Sequence, residues 1–252
     1  MSEILVLGAG MVGVSTALAL QAQGHAVTLA DRTAPGRETS FGNAGVIQVE
    51  AAEPYAMPRA PGQLLRYGLG LSNDLVWSPA GLTRMAPALW RYWRASAPAR
   101  HAKAAALYAQ LTGRATADHA PLIAASGSEN LISREGLALV FRRQAAFEAE
   151  AATAERLAQR YGVSSRAYAG TEWLREEPAL TSAPAGVVHY TGSWSAADPG
   201  ALTRAYADLF ERRGGHVVLA DAGTLAATGS GWRLTGPDGP IEAAQTALCL
   251  GP

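Results

Sequence analysis

At 252 residues, with 48% apolar and 17% charged, the chain is long enough to bury a sizeable core and too apolar for a disordered segment. Its 21 basic and 21 acidic residues cancel, so no broad field draws it to nucleic acid. Cys249 is the only cysteine, which excludes intramolecular disulfides and thiolate metal clusters and fits a reducing compartment.

Residues 3–7 (EILVL) read as a short strand. The turn GAGMVG then leads into a helix over VSTALALQAQ that stops at Gly24, and HAVTLAD resumes a strand with Asp31 at its end. Strand, glycine turn, helix and strand together fill the span of one βαβ unit. The apolar N-terminus lacks the basic flank of a signal peptide, with Glu3 where Lys or Arg is expected. No run is long enough for a transmembrane helix, so a cytoplasmic protein is expected. From Arg32 to Arg66 the chain is rich in glycine and proline, and so long an irregular stretch inside a compact protein is usually functional.

Residues 64–95, which contain Trp77, Trp90 and Trp93, read as short helices. Their aromatics either pack beneath the preceding loop or form a patch for peripheral contact with a membrane. One long Ala-rich helix is expected over 99–125, a strand over GLALVFRR (136–143), and a helix over 144–162 that ends at Gly162. EWLREEPAL reads as a short helix and GVVHYTGSW (186–194) as a strand. Asp198-Pro199 opens a helix that Gly214 and Gly215 stop, and the strand HVVLAD follows. Pro237-Asp238-Gly239 marks a hairpin, and TALCLGP is a closing apolar strand in which Cys249 reads as a small hydrophobe.

The chemistry concentrates at Gly8-Ala9-Gly10-Met11-Val12-Gly13, a G-x-G-x-x-G between strand and helix with Asp31 ending the next strand. Gly8 permits the tight turn, Gly10 lets a pyrophosphate approach the backbone, and Gly13 lets the helix pack on the sheet. The helix N-terminus offers free N–H groups and partial positive charge to phosphates. Asp31 is placed to accept from both ribose hydroxyls, and its charge disfavours a 2′-phosphate. The following ETSFGNAGVI (38–47) sets Thr39 and Ser40 as phosphate donors, with Gly42 and Gly45 letting the backbone lie against a flat ring. That pattern suits a buried flavin better than an exchanging nicotinamide. Lys103 is the only lysine, which excludes a Walker phosphate loop and argues against Schiff-base chemistry. His25, His101, His119 and His216 have no metal-ligand spacing and read as structural or surface groups. Tyr55 and Arg59 either reach the site or pack the loop.

Through LVLGAGMVGVSTALALQAQGHAVTLADR, TSFGNAGVI, EPYAMPRAPG, REGLALVFRR, DPGALTRAYADLFERRGG and ALCLGP, the chain resembles the D-amino-acid-oxidase-like family of FAD-dependent oxidoreductases, most of all the bacterial D-amino-acid dehydrogenases. The resemblance implies an α/β fold, α+β in its substrate part. A Rossmann-type FAD-binding domain over 1–66 and 198–252 would interleave with a helical insert and a partial, mostly antiparallel substrate domain over 67–197. It implies that Gly8, Gly10, Gly13, Asp31 and Arg32 hold the ADP half of FAD. Ser40, Asn43, Ala44, Gly45 and Val46 would line the stretch toward the isoalloxazine, Gly251 the ribityl chain, and Ala222 the adenine. His189 and Tyr190 are candidate substrate contacts, although a structural histidine and a half-exposed strand residue are the favoured reading of the pair.

The implied reaction is oxidation of the CH–NH2 bond of an amino acid, a D-amino acid first, with hydride passing to flavin N5. The imine then hydrolyses to a 2-oxo acid and ammonia, and the electron acceptor is left open between quinone and oxygen. Related flavoproteins act on glycine, sarcosine or proline-like amines, and a non-catalytic FAD-binding fragment is the remaining alternative. The family's later substrate strands, carboxylate-binding arginine and final FAD segment would follow Pro252, so the chain reads as the N-terminal portion of a longer protein.

Overall fold

The structure, a computed structural model, describes residues 2–72 and 75–251. It opens with β1 (Glu3–Leu7), α1 (Met11–Ala22) and β2 (Ala26–Asp31), the expected βαβ unit. β1 is buried from Ile4 to Leu7, as a central parallel strand covered on both faces must be. α1 lays Val14, Ala17 and Leu18 on the sheet and ends at Gln23, before Gly24 takes a left-handed φ of 83°.

The loop that follows contains the two-residue β3 (Val46–Ile47). Next come α2 (Pro61–Gly68), α3 (Pro79–Ala95), α4 (Pro98–Thr112) and α5 (Ala115–Ser126). α2 begins inside the stretch expected as loop, with Pro61 at its first turn. α3 runs 17 residues, longer than the short helices expected, because Ser78 caps it by accepting from the Gly81 N–H and Pro79 occupies its first position. The single helix expected over 99–125 divides at Gly113 and Arg114. Glycine there lowers helix stability by about 1 kcal/mol, and α5 turns to bury Ile123 in the main core.

β4 (Ile132–Ser133), β5 (Leu137–Phe141), α6 (Gln144–Tyr161), β6 (Ser165–Ala169) and α7 (Gly170–Glu176) lead to β7 (Gly186–Tyr190) and β8 (Trp194–Ala196). The span 186–194, expected as one strand, is split by a turn at Thr191-Gly192, and its two halves join different sheets. β7 is the centre of an antiparallel sheet ordered β5-β7-β6, backed by α6 through Ala154, Leu157, Val188 and Tyr190. β8 pairs antiparallel with β3 and β4, tying the glycine-rich loop to the middle of the chain.

α8 (Pro199–Arg212) starts as expected, with Asp198 accepting from the Ala201 N–H at 2.7 Å and Pro199 at its first position. Its Leu202, Tyr206 and Phe210 pack with α1, and Gln21 ties the two helices by donating to the Phe210 and Arg213 carbonyls. β9 (His216–Leu219), β10 (Ala226–Ala227), β11 (Trp232–Gly236), β12 (Gly239–Ala243) and β13 (Gln245–Leu248) complete the chain. The parallel sheet runs β13-β1-β2-β9, with Val6 opposite both Leu29 and Ala247. α1 and α8 cover one face. The antiparallel sheet β10-β11-β12, turned at the expected hairpin, brings Leu234 and Ala243 onto Leu5 and Leu7 of the other. Among the described residues, no helix is long and apolar enough to cross a membrane.

Candidate functional site

A cleft of about 620 Å³ opens at the carboxyl ends of β1, β2 and β13, where open parallel sheets take their ligands. The three motif glycines have different causes. A Cβ on Gly8 would stand 2.2 Å from the Cys249 carbonyl oxygen, and Gly8 holds φ at 104°, so the end of β13 and the turn require glycine. A Cβ on Gly13 would lie 1.7 Å from the Gly8 carbonyl oxygen, so α1 could not start where it does. Gly10 is extended (φ −77°, ψ 179°), and a Cβ there would meet only Ser40 Oγ, at 3.4 Å. Nothing in the fold demands a glycine at position 10; a side chain would enter the cleft itself.

The wall opposite completes a cradle for an anion. Gly10 gives α1 no side-chain cap and no acidic residue sits in its first turn. Ser40, buried, accepts from the Met11 N–H at 3.0 Å and keeps its hydroxyl proton for another acceptor. Asp31 accepts from the Ala9 N–H at 2.6 Å and the Thr33 N–H at 3.0 Å. The Thr33 hydroxyl also donates to it, at 3.4 Å, so of the roughly four acceptor positions of a carboxylate about one remains for the cleft. These residues fit the ribose and pyrophosphate of a dinucleotide: an acceptor at Asp31, free N–H groups at the α1 terminus, and space where a Cβ is missing.

Gly8, Gly10, Met11, Val12, Asp31, Thr39, Ser40, Asn43 and Gly251 all line this cleft. Ala9 and Gly13 are buried behind it. Arg32 is exposed, and both its Nε and an Nη donate to Glu38 on the rim, at 2.6 and 2.8 Å. Ala44 is exposed, and Ala222 packs beside the Leu5–Leu234 cluster.

Gly45 and Val46 line a second cavity, of about 260 Å³, between the loop and α5 and α8. Its loop wall is set by Asn43, whose Oδ1 accepts from the Gly45 N–H at 2.7 Å, and by Gly45 itself. At φ 69°, a Cβ on Gly45 would stand 2.3 Å from the Ala196 carbonyl oxygen. The other wall carries His119, whose Nδ1 is 3.0 Å from the Tyr206 hydroxyl; burial pushes its pKa below the usual histidine value.

The third cavity, of about 380 Å³, lies between the loop that follows β3 and the β5-β7-β6 sheet with α6. Adjacent residues on a strand face opposite ways, and the structure separates His189 from Tyr190 accordingly. His189 packs on Tyr168 and Trp173, its Nε2 2.5 Å from the Glu135 carbonyl oxygen. Tyr190 lines the cavity and donates to Glu150 at 2.6 Å; burial first, then Glu150, holds its phenol protonated far above the ordinary value. Glu53 accepts from Arg156 at 2.7 Å and from the Tyr161 hydroxyl at 3.0 Å, and the Arg156 hydrogen bond holds its carboxyl below the usual range. His119, in the second cavity, escapes a reading by motif, and so do Glu50, Glu53, Glu150 and Arg156 of the third. The loop and α6 lie far apart in sequence, and only the fold sets these charges around one space.

The three cavities adjoin. Met11 and Asn43 line the first and second, and Gln48 lines the second and third. Among the described residues, no group of three or more His, Cys, Asp or Glu side chains is placed to hold a metal ion.

A family model described as FAD dependent oxidoreductase matches residues 3–252. The D-amino acid dehydrogenase of Chromohalobacter salexigens is 31% identical over 183 residues, covering 72% of this chain and 43% of that protein. D-amino acid dehydrogenase 2 of Ralstonia nicotianae is 33% identical over 195 residues, covering 74% of this chain and 44% of that protein. The chain thus spans less than half the length of these relatives. Among solved structures, glycine oxidase from Geobacillus kaustophilus aligns with a TM-score of 0.65 at 16% identity, over 100% of this chain and 56% of its own. L-amino acid deaminase from Proteus vulgaris aligns at 0.63 and 17%, over 100% of this chain and 47% of its own. At such identities the structural likeness shows the fold.

Proposed function

The chain belongs to the DAO family of FAD dependent oxidoreductases, and from that premise we propose that it holds FAD along the adjoining cavities and oxidises the CH–NH2 bond of an amino acid, D-amino acids first. The observation that carries this reading is the shared lining at Met11, Asn43 and Gln48, which leads from a dinucleotide cradle to a pocket of amino-acid size. The relatives described as D-amino acid dehydrogenases support the substrate class.

Each residue has a task in this account. Asp31 accepts from a ribose hydroxyl. The N–H groups at the start of α1 and the Ser40 hydroxyl donate to the pyrophosphate, and the missing side chain at Gly10 lets it approach. Asn43, Gly45 and Val46 shape the passage toward Gln48. Bound FAD would supply the two-electron acceptor for a C–H bond beside an amine. Leu137, Leu139 and Leu157 offer apolar surface to the substrate side chain, and Tyr190, held protonated, stays a neutral wall. The contribution of these residues is orientation and electrostatics in a shielded space rather than a nucleophile.

The test is an assay of FAD-loaded protein with an electron-accepting dye and D-amino acids, their L-enantiomers, glycine and sarcosine. Dye reduction fastest with D-amino acids supports the reading; reduction by none of them, or faster with L-enantiomers, overturns it.

A peripheral membrane contact belongs to the same proposal. α2 and α3 bury none of their residues, leaving Leu65, Leu82, Met85 and Trp90 exposed. Residues 61–95 carry Arg66, Arg84, Arg91 and Arg94 against the single acid Asp74. Apolar and basic groups together suit an anionic lipid surface. Salt-sensitive sedimentation with anionic vesicles is expected, and none with neutral ones; equal recovery with both, or with neither, would remove the contact.

A further inference from the structure

We infer that Glu50 is the docking carboxylate for the substrate's ammonium group. The inference rests on the amino-acid reading above for its choice of ligand but not for its geometry. Glu50 is 8% exposed and lines the third cavity. The Ser193 hydroxyl donates to one of its oxygens and the Gln48 amide to the other at 2.6 Å. Both are neutral donors, and they orient the carboxylate without compensating its charge.

The surrounding cations are committed elsewhere. Arg156, which lines the same cavity, donates to Glu53 at 2.7 Å, and Arg160 is 3.8 Å from the same carboxylate. The His101 ring is 2.7 Å from the Pro54 carbonyl oxygen. Among the described residues, no Arg, Lys or His forms an ion pair with Glu50. A carboxylate taken out of water without a counter-ion is costly, and a bound cation relieves that cost. With roughly four acceptor positions and two protein donors, Glu50 has capacity left for N–H donors from the cavity.

The position of the residue selects the cation. Glu50 lies two residues beyond Gln48, which lines the second cavity as well as the third, so a cation on Glu50 sits where the passage from the cofactor cleft meets the pocket. A primary or secondary ammonium fits: it is compact and carries two or three donors for the free positions on the carboxylate. The apolar wall of Leu137, Leu139 and Leu157 then receives the rest of the ligand.

The test is calorimetric binding to FAD-loaded protein of three probes: D-alanine, with both charged groups; ethylamine, with the ammonium alone; and propionate, with the carboxylate alone. In Glu50→Gln, which keeps the shape and the Ser193 contact, D-alanine and ethylamine are expected to weaken by roughly tenfold or more. Propionate should bind as well as to the parent protein or better, because a like charge has gone. Unchanged ethylamine binding in Glu50→Gln, no ethylamine binding to the parent protein, or equal weakening of all three probes overturns the docking role; the last outcome would mark Glu50 as a structural group. Should Glu50→Gln fail to fold, Glu50→Asp keeps the charge and must retain a preference for ethylamine over propionate, whose loss would count against the inference. If ethylamine depends on Glu50 while no amino acid is oxidised, the docking role stands and the amino-acid reading falls.

Discussion

Replacing Gly10 with alanine should separate folding from cofactor binding. The backbone at Gly10 is one that any residue adopts, and the new Cβ would meet only Ser40 Oγ, at 3.4 Å. As an N-cap, alanine is worse than glycine by about 0.5–1 kcal/mol, while lost freedom in the unfolded chain returns about 0.4–1 kcal/mol. These nearly cancel, so the apo protein should melt within a few degrees of the parent. The methyl group projects into the cleft where a pyrophosphate would meet the start of α1. Displacing even one charge-assisted hydrogen bond costs about 1.5–3 kcal/mol, a loss of roughly 10- to 100-fold in FAD affinity. The paired assay is apo melting temperature and FAD titration by flavin fluorescence. Gly13→Ala is the control, since its Cβ would stand 1.7 Å from the Gly8 carbonyl oxygen; it should lose stability by about 3 kcal/mol or more before any ligand is added. If Gly10→Ala binds FAD like the parent, the cleft is not the pyrophosphate site.

Asp31→Ala should weaken FAD by about 1.5–3 kcal/mol and also lower the apo melting temperature, because the Ala9 and Thr33 N–H groups lose their acceptor; unchanged affinity would misplace the ribose. Tyr190→Phe removes the hydrogen bond to Glu150 and should cost about 1–2 kcal/mol in denaturant unfolding, whereas a neutral change would mean the pair is solvated. Glu53 is held below its ordinary value of 4.5 mainly by the Arg156 hydrogen bond, so its contribution is present above pH 4.5 and is lost as pH falls through the depressed value. With Arg156 half-exposed, that contribution is under about 1 kcal/mol. Arg156→Gln should therefore match the parent's stability in strong acid and fall below it near neutrality; a gap independent of pH would contradict the coupling.

How much the sequence disclosed depended on how local each cause was. The βαβ unit, the Asp198-Pro199 start of α8 and the 237–239 hairpin were legible because caps, glycines and turns act within a few residues. β6 was hidden because Ser165–Ala169 mixes Ser, Arg and Tyr with alanine on a sheet that buries only part of it. The break at Gly113 is decided by Ile123 reaching the core, which helix propensity does not report. At the site, Gly8, Gly10, Met11 and Val12 of the fingerprint line the cleft, yet two of its three glycines answer to the protein's own backbone and only Gly10 to open space. The charged pocket was not legible at all. Glu50 and Glu53 come from a loop and Glu150 and Arg156 from α6, and only the packing of that helix on β7 brings them together.

Whether these cavities carry FAD to an amino-acid pocket is tested by an anaerobic titration of FAD-loaded protein with D-alanine. Stoichiometric loss of the visible flavin absorbance with matching release of pyruvate and ammonia is expected. Protein that takes up no FAD, or a bound flavin that keeps its absorbance through D-alanine and a panel of other D-amino acids, would contradict that reading.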